Sequence, residues 1–185
     1  NSSYTDGTFE MRGGLITGCH STYPDIQMGG AVYLYGGRFA MSGGVISNNT
    51  AAAGCVAGVN LYAGDCDIRG DAQIIDNHGG IVDDFVISGG SSRQVYVRPG
   101  YTGRMTIYQS SLPAVGARSD VWTGPNGTKD ATGLGNVSMQ GHPEYVLDGY
   151  YSSNGYTKWG RRMLEVSSRG VMANSGPCLS RMTMS

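Results

Sequence analysis

The sequence predicts an all-β chain folded as a parallel β-helix, with three strands in each coil and about three to four coils. Glycine supplies 31 of the 185 residues, well above its typical share of about 7%. Short apolar segments of three to five residues recur every 27 to 30 residues, and their β-branched and aromatic side chains are typical of strands. Three such segments separated by glycine-rich corners form one coil, whose strands stack on the next coil at about 4.8 Å.

The first strand of the coil is the most clearly repeated. Residues 8–16 return as 38–46, an offset of 30, and in weaker form as 65–75, an offset of 27. Residues 105–107 are predicted to begin a fourth copy. Alternation along these strands predicts two inward-facing ladders: Phe9, Phe39, Cys66 and Met105 in one, and Met11, Met41, Ile68 and Ile107 in the other.

The second and third strands follow from the same repeat. Ile16, Ile46 and Ile75 are predicted to form the inward ladder of the second strand. Residues 30–35 return as 57–62, an offset of 27, and 94–97 are predicted as a third copy. Glycine pairs such as 36–37 are expected at corners, and asparagines 48, 49 and 77 at the turn after the second strand, because both residue types tolerate positive φ.

The end of the chain does not repeat. We expect residues 1–107 to form the parallel β-helix and residues 108–185 to form a non-repeating cap of strands and loops. A cap is needed because the last coil otherwise exposes apolar side chains and an unpaired strand edge.

The third strand carries the candidate binding surface. If its valines and leucines point inward, the residues between them point outward, one position per coil. The six outward positions predicted in this way are Tyr33, Tyr35, Asn60, Tyr62, Gln94 and Tyr96. Stacked tyrosines beside amides form a surface on which the apolar faces of sugars stack. Alternatively, exposed tyrosines support strand pairing or lie beneath the cap or a neighbouring domain.

Other chemistry has less support from the residues. The three histidines are scattered without metal-ligand spacing, and the acidic residues form no acid–base pair at a fixed spacing, so we predict no catalytic residue, metal or cofactor. Cys19 and Cys55 both lie in loops that join the second and third strands of adjacent coils. They are the candidates for a disulfide, which requires an oxidising compartment.

The best-defined copy of the repeat resembles a known family. Residues 29–33 and 37–51, which read GGAVY and GRFAMSGGVISNNTA, resemble the repeat of right-handed parallel β-helix surface proteins of Gram-positive gut bacteria, in the pectate-lyase-like superfamily. The resemblance covers about residues 7–107. It implies an adhesin-like protein that is secreted or displayed on the cell surface. A few relatives are polysaccharide lyases or hydrolases, and the lyases bind Ca²⁺ through carboxylates on one parallel sheet.

These observations lead to one expected function and two alternatives. We expect a structural or adhesive module whose outward tyrosines bind a glycan or a host or neighbouring cell surface. The alternatives are a polysaccharide-active enzyme on the same fold and a subunit that associates end to end into a fibre. The net charge of −1 favours neither nucleic acid nor an anionic membrane as partner. No apolar segment approaches the roughly 18 residues needed to span a bilayer.

Overall fold

A computed structural model describes residues 7–22, 30–88, 93–122, 132–150 and 156–162. The chain is an all-β solenoid of about four turns, consistent with the predicted parallel β-helix. Within the described ranges the helical content is one short 3-10 turn, Leu134–Asn136. The strands are β1 (Thr8–Ile16), β2 (His20–Ser21), β3 (Val32–Leu34), β4 (Arg38–Ile46), β5 (Thr50–Ala51), β6 (Val59–Leu61), β7 (Gly64–Ile68), β8 (Gln73–Ile74), β9 (Phe85–Ile87), β10 (Arg93–Val97), β11 (Arg104–Ile107), β12 (Arg118–Trp122), β13 (Val137–Met139), β14 (His142–Tyr150) and β15 (Tyr156–Arg161).

One parallel stack of strands, here called stack A, runs through β1, β4, β7, β10 and β12. Coils 1 to 4 begin in this stack at equivalent positions, namely Thr8, Arg38, Asp65 and Gln94. The first three coils are therefore 30, 27 and 29 residues long. The period expected from the sequence is confirmed, and stack A continues into a further strand at β12.

The other strands form two stacks that merge in the fourth coil. Stack B joins the ends of β1 and β4 to β8, β11 and β13, and stack C joins β3, β6 and β9. The single strand β11 pairs with both β8 and β9. In coil 3, residues 75–84 separate Ile74 from Phe85, whereas in coil 4 Thr106 alone separates Met105 from Ile107. Coil 4 therefore lacks the loop that separates stacks B and C in coil 3.

The core is a column of buried side chains between the stacks. Phe39 and Cys66 lie in register as predicted, and Val59 and Leu61 stack beneath Val32 and Leu34. Two predicted continuations are wrong. Val95 and Val97, and not Met105 and Ile107, extend the ladders of stack A.

The second-strand ladder is displaced by one residue. Ile74 pairs with Ile46 and is fully buried, while Ile75 is partly exposed. Because side chains alternate along a strand, this shift of one residue reverses which of the two isoleucines enters the core.

Glycines stack at the corner before stack A. Gly37 and Gly64 have φ of 73° and 92°, in the region that residues with a side chain rarely adopt. A Cβ at Gly64 would lie 2.3 Å from the carbonyl oxygen of Gly37, and a Cβ at Gly37 would lie 2.3 Å from that of Gly7. Glycine is therefore required here both by the backbone conformation and by the close approach of successive coils.

Asparagines form a buried ladder at the turn after stack B. Asn48 adopts the expected positive φ of 54°, whereas Asn49 and Asn77 are buried and make side-chain hydrogen bonds. Asn49 Oδ1 accepts the amide of Cys19 (3.0 Å), and Asn77 Oδ1 accepts Asn49 Nδ2 (2.8 Å). Asn77 Nδ2 in turn donates to Asp84 Oδ1 (2.9 Å). These side chains connect coils 1, 2 and 3 through the interior.

The end of the solenoid is covered by antiparallel strands. β15 pairs antiparallel with β12, and β14 pairs antiparallel with β13. β14 and β15 also pair with each other. Trp159 and Leu147 are buried there. Parallel pairing thus extends beyond residue 107 into β12 and β13, and antiparallel strands follow it. Residues 163–185, the last part of the predicted cap, lie outside the described residues.

Candidate functional site

Three tyrosines form a cluster at the surface of stack C, with two of them exposed and Tyr62 partly exposed. Tyr35 and Tyr62 stack with ring centroids 5.2 Å apart and planes 9° apart. The ring of Tyr33 lies 6.2 Å from that of Tyr35 and 6.4 Å from that of Tyr62. Tyr33 and Tyr35 are 36% and 53% exposed. We call Tyr33, Tyr35 and Tyr62 the tyrosine cluster.

Register places these rings side by side. Leu34 pairs with Leu61 in the core, so the flanking residues point away from it. The amide of Tyr62 donates to the carbonyl of Leu34 (2.9 Å), which sets Tyr62 beside Tyr35 in the neighbouring coil. Parallel strands lie about 4.8 Å apart, close to the separation of stacked rings. The sheet geometry therefore holds two aromatic planes parallel.

Asn60 was expected on this surface, but its side chain is fully buried. Its Oδ1 accepts a hydrogen bond from the hydroxyl of Ser88, at 2.5 Å, in the next coil. The outward position is correct, since Asn60 pairs with Tyr33. Because its side chain is buried, Asn60 is not part of the accessible surface.

Gln94 and Tyr96 lie on a different stack from the tyrosine cluster. They pair with Asp65 and Asp67 on stack A, so the prediction that 94–97 repeats the third strand is wrong. Tyr96 is only 8% exposed, and the Arg98 guanidinium lies 4.7 Å from its ring centroid. The six predicted positions therefore divide between two faces of the solenoid.

The third copy of the tyrosine strand is β9, where Val86 and Ser88 occupy the outward positions. Val59 pairs with Phe85 and Asn60 with Val86, and the Ser88 amide donates to the carbonyl of Leu61 (3.0 Å). The sequence contains a signal for this strand, because Phe85 follows Val59 by 26 residues whereas Val95 follows it by 36. Only the shorter offset is close to the repeat length.

A cavity of about 250 Å³ continues the outer face of stack C beyond the tyrosine cluster. Val86 and Ser88 line it in coil 3, and Tyr108 and Ser110 line it in coil 4. The Tyr108 amide donates to the carbonyl of Phe85 (2.8 Å), which places Tyr108 beside Val86. The carboxylate of Asp120 completes one wall. This cavity was not predicted, because residues 105–107 were expected to continue the first strand of the coil, which lies in stack A.

The outer face of stack A carries a buried carboxylate between two arginines. Asp67 Oδ2 accepts hydrogen bonds from Arg38 Nη2 (3.0 Å) and from Arg98 Nε (2.9 Å) and Nη2, while Oδ1 is buried and has no hydrogen-bond partner among the described residues. Burial raises the pKa of Asp67, but the hydrogen bonds and charges of Arg98 and Arg38 outweigh it and leave the pKa below its ordinary value. Both guanidinium groups are therefore engaged within the protein.

Cys19 and Cys55 carry free thiols, so the predicted disulfide is wrong. Cys19 lies beside Asn49, since its amide donates to Asn49 Oδ1 and its carbonyl accepts the amide of Thr50 (2.9 Å). Cys55 follows six residues later in coil 2 and is fully buried. The residue of coil 2 that corresponds to Cys19 is therefore Asn49, and Cys55 lies six residues beyond that position.

Thiol reactivity should follow this geometry. Cys178, the fourth cysteine, lies outside the described residues and is therefore replaced by serine in this test. In the Cys178→Ser background we expect one thiol, that of the exposed Cys19, to react with an aromatic disulfide reagent in the native protein. Cys55 and Cys66 are fully buried, and burial raises the pKa of the Cys66 thiol. Both should react only in denaturant, with Cys19→Ser as the control. If the thiol of Cys19 reacts in the native protein only after reduction, the protein contains the Cys19–Cys55 disulfide.

Within the described residues, His, Cys, Asp and Glu side chains form no group of three or more that could hold a metal ion. None of the described segments is a helix with the length and apolarity that a membrane crossing requires.

The tyrosine cluster and the adjoining cavity are thus the candidate binding surface. Strand pairing and the coil period carry the assignment of the chain as a β-solenoid. Comparison of the chain with protein-family models, with curated proteins and with solved structures found no match.

Proposed function

We propose that this chain is a non-catalytic β-helix module of a secreted or bacterial surface protein, adhesive through a glycan bound on the tyrosine cluster. The observation that carries the proposal is the parallel stacked pair of Tyr35, which is 53% exposed, and Tyr62, which is partly exposed. Sugars present apolar C–H faces that stack on such rings, while the phenol hydroxyls contribute hydrogen bonds. Display at a surface is what the resemblance of residues 29–51 to adhesin-like repeats implies.

The location of the cluster argues against a purely structural role. Tyr33 and Tyr35 belong to coil 1 and Tyr62 to coil 2, whereas the antiparallel strands β14 and β15 pair at the far end of the solenoid. The cap strands therefore do not cover these rings. Exposed aromatic groups gathered in one place on a surface are typical of interaction sites.

The antiparallel cap also favours a module over a fibre subunit. A fibre of stacked solenoids needs parallel strands to continue from the last coil, in the same sense as the coils within one chain. In this chain β12 pairs with the antiparallel strand β15. That pairing occupies the edge on which another copy would have to add.

We expect Tyr35→Ala and Tyr62→Ala each to weaken glycan binding about 5- to 30-fold. One sugar–aromatic stacking contact would be lost in each variant, worth about 1–2 kcal/mol by analogy with other aromatic pairs. Hits from a glycan array would be measured again by titration calorimetry.

Phe9→Ala is the matched control, because Phe9 is an exposed aromatic residue of the same coil on stack A. Equal losses in Phe9→Ala and Tyr35→Ala, or no binding by the unmodified protein to any array glycan, would refute the proposal. A parallel incubation with acidic polysaccharides and Ca²⁺ tests the enzymatic alternative. Release of ultraviolet-absorbing unsaturated uronides would show that the chain is a polysaccharide lyase and would contradict the proposed non-catalytic role.

A further inference from the structure

The outer face of stack C carries both the tyrosine cluster and the cavity of about 250 Å³. Tyr62 in coil 2 is followed in coil 3 by Ser88, which lines the cavity described above. Because adjacent coils are about 4.8 Å apart, the cavity begins about 5 Å beyond Tyr62, and Tyr108 lies about 14 Å along the axis from coil 1. The aromatic cluster and the cavity therefore follow one another along a single face.

The cavity has the chemistry of a site for hydroxyl groups. Ser88, Gln109 and Ser110 line it together with the carboxylate of Asp120, beside the apolar side chains of Val86 and Tyr108. The Ser88 hydroxyl donates its hydrogen to Asn60, and the lone pairs on its oxygen can accept a hydrogen bond from a ligand hydroxyl. A carboxylate also accepts hydrogen bonds from hydroxyls.

Charge narrows the class of ligand. The described residues that line the cavity include one carboxylate, Asp120, and no lysine or arginine. Outside the lining, Arg118 lies 3.7 Å from Asp120, and both side chains are about half exposed, so solvent screens this pair. An anionic sugar would meet the Asp120 carboxylate in the cavity and no cation among the described lining residues. The lining therefore favours a neutral ligand over an acidic one.

We propose that the tyrosine cluster and the cavity bind one ligand, a neutral oligosaccharide that lies along the solenoid axis from coil 1 to coil 4. The inference rests on the proposed glycan binding and adds the direction, the chain length and the charge class of the ligand. A disaccharide covers the tyrosine cluster alone, and only a longer chain also enters the cavity.

The test compares oligosaccharides of increasing length. Neutral gluco-, manno- and xylo-oligosaccharides from disaccharide to hexasaccharide, and oligogalacturonides of the same lengths, would be titrated by calorimetry. We expect affinity for the neutral series to rise at least tenfold from disaccharide to hexasaccharide. Ser110→Trp, which fills the cavity, should remove this gain and leave disaccharide binding unchanged.

Ser111→Trp is the matched control, because Ser111 is exposed and adjacent in sequence but does not line the cavity. The control should retain the gain with chain length. This inference would be overturned if the disaccharide and the hexasaccharide bind with equal affinity, and if Tyr35→Ala weakens the binding of both while Ser110→Trp weakens neither. That result would leave the proposed function intact. Tighter binding of oligogalacturonides than of neutral sugars would overturn the charge class. No binding by any oligosaccharide would overturn both proposals.

Discussion

Replacing Phe39 with alanine is expected to lower the free energy of unfolding by about 3–5 kcal/mol. Phe39 is fully buried between Phe9 and Cys66, and its ring stacks on that of Phe9 with centroids 5.6 Å apart. Its removal leaves a cavity at the interface between coils 1, 2 and 3. In a solenoid each coil is stabilised by its neighbours, so weakening coil 2 also weakens its contacts with coils 1 and 3.

Phe9→Ala is the matched control, because it removes the same side chain from the same ladder one coil earlier. Phe9 is 49% exposed, so the lost burial is smaller and we expect a decrease of about 1 kcal/mol. Denaturant titrations followed by circular dichroism would measure both variants. Similar losses in the two variants would contradict the position of Phe39 in the centre of the core.

Asn77→Ala is expected to destabilise the chain by about 3 kcal/mol, because it leaves several buried polar groups without partners. Asn77 Oδ1 accepts from the amide and the side chain of Asn49, and its Nδ2 donates to the carbonyl of Ile46 and to Asp84 Oδ1. Alanine replaces none of these hydrogen bonds. The exposed neighbour His78 supplies the control, and His78→Ala should change stability by no more than about 0.5 kcal/mol.

The deficit in Asn77→Ala should depend on pH through Asp84. Burial raises the pKa of Asp84, and hydrogen bonds from Thr106 and Asn77 oppose part of that rise. Without Asn77 the folded-state pKa of Asp84 rises further. The resulting loss of stability is absent below the ordinary pKa of 3.8, where Asp84 is protonated in both the folded and the unfolded state. It grows as pH rises from there through the folded-state pKa. Unfolding at about pH 4 and about pH 7 would measure this. A deficit that is larger at the lower pH would contradict the role given to Asp84.

The repeat in the sequence predicted the first two coils residue by residue. The match of residues 8–16 to 38–46 placed Phe9 against Phe39 and Met11 against Met41, as the register shows. This succeeded because successive coils bury equivalent side chains in one column, so their sequences resemble each other. The prediction failed after Ile68, where the copies diverge and Met105 was placed where Val95 lies.

The candidate site was only partly predictable, because exposure depends on neighbours that are remote in sequence. Alternation alone gives Tyr33 and Asn60 the same outward direction, yet Tyr33 is exposed and Asn60 is buried. The cavity arises where coil 4 shortens and sets Tyr108 beside Val86. Nothing in the local pattern of 105–110 indicates that loss of a loop.

The sequence by itself determined the solenoid, its coil length and the direction of side chains in the well-repeated strands, since period and alternation are local properties of the chain. Tertiary structure decided which outward side chains meet, because that depends on which strands stack. It separated Tyr96 from Tyr62 and joined Asn49, Asn77 and Asp84 in one buried ladder. Contacts between coils join residues 27 to 30 positions apart, so the partners of a side chain lie outside its local sequence pattern.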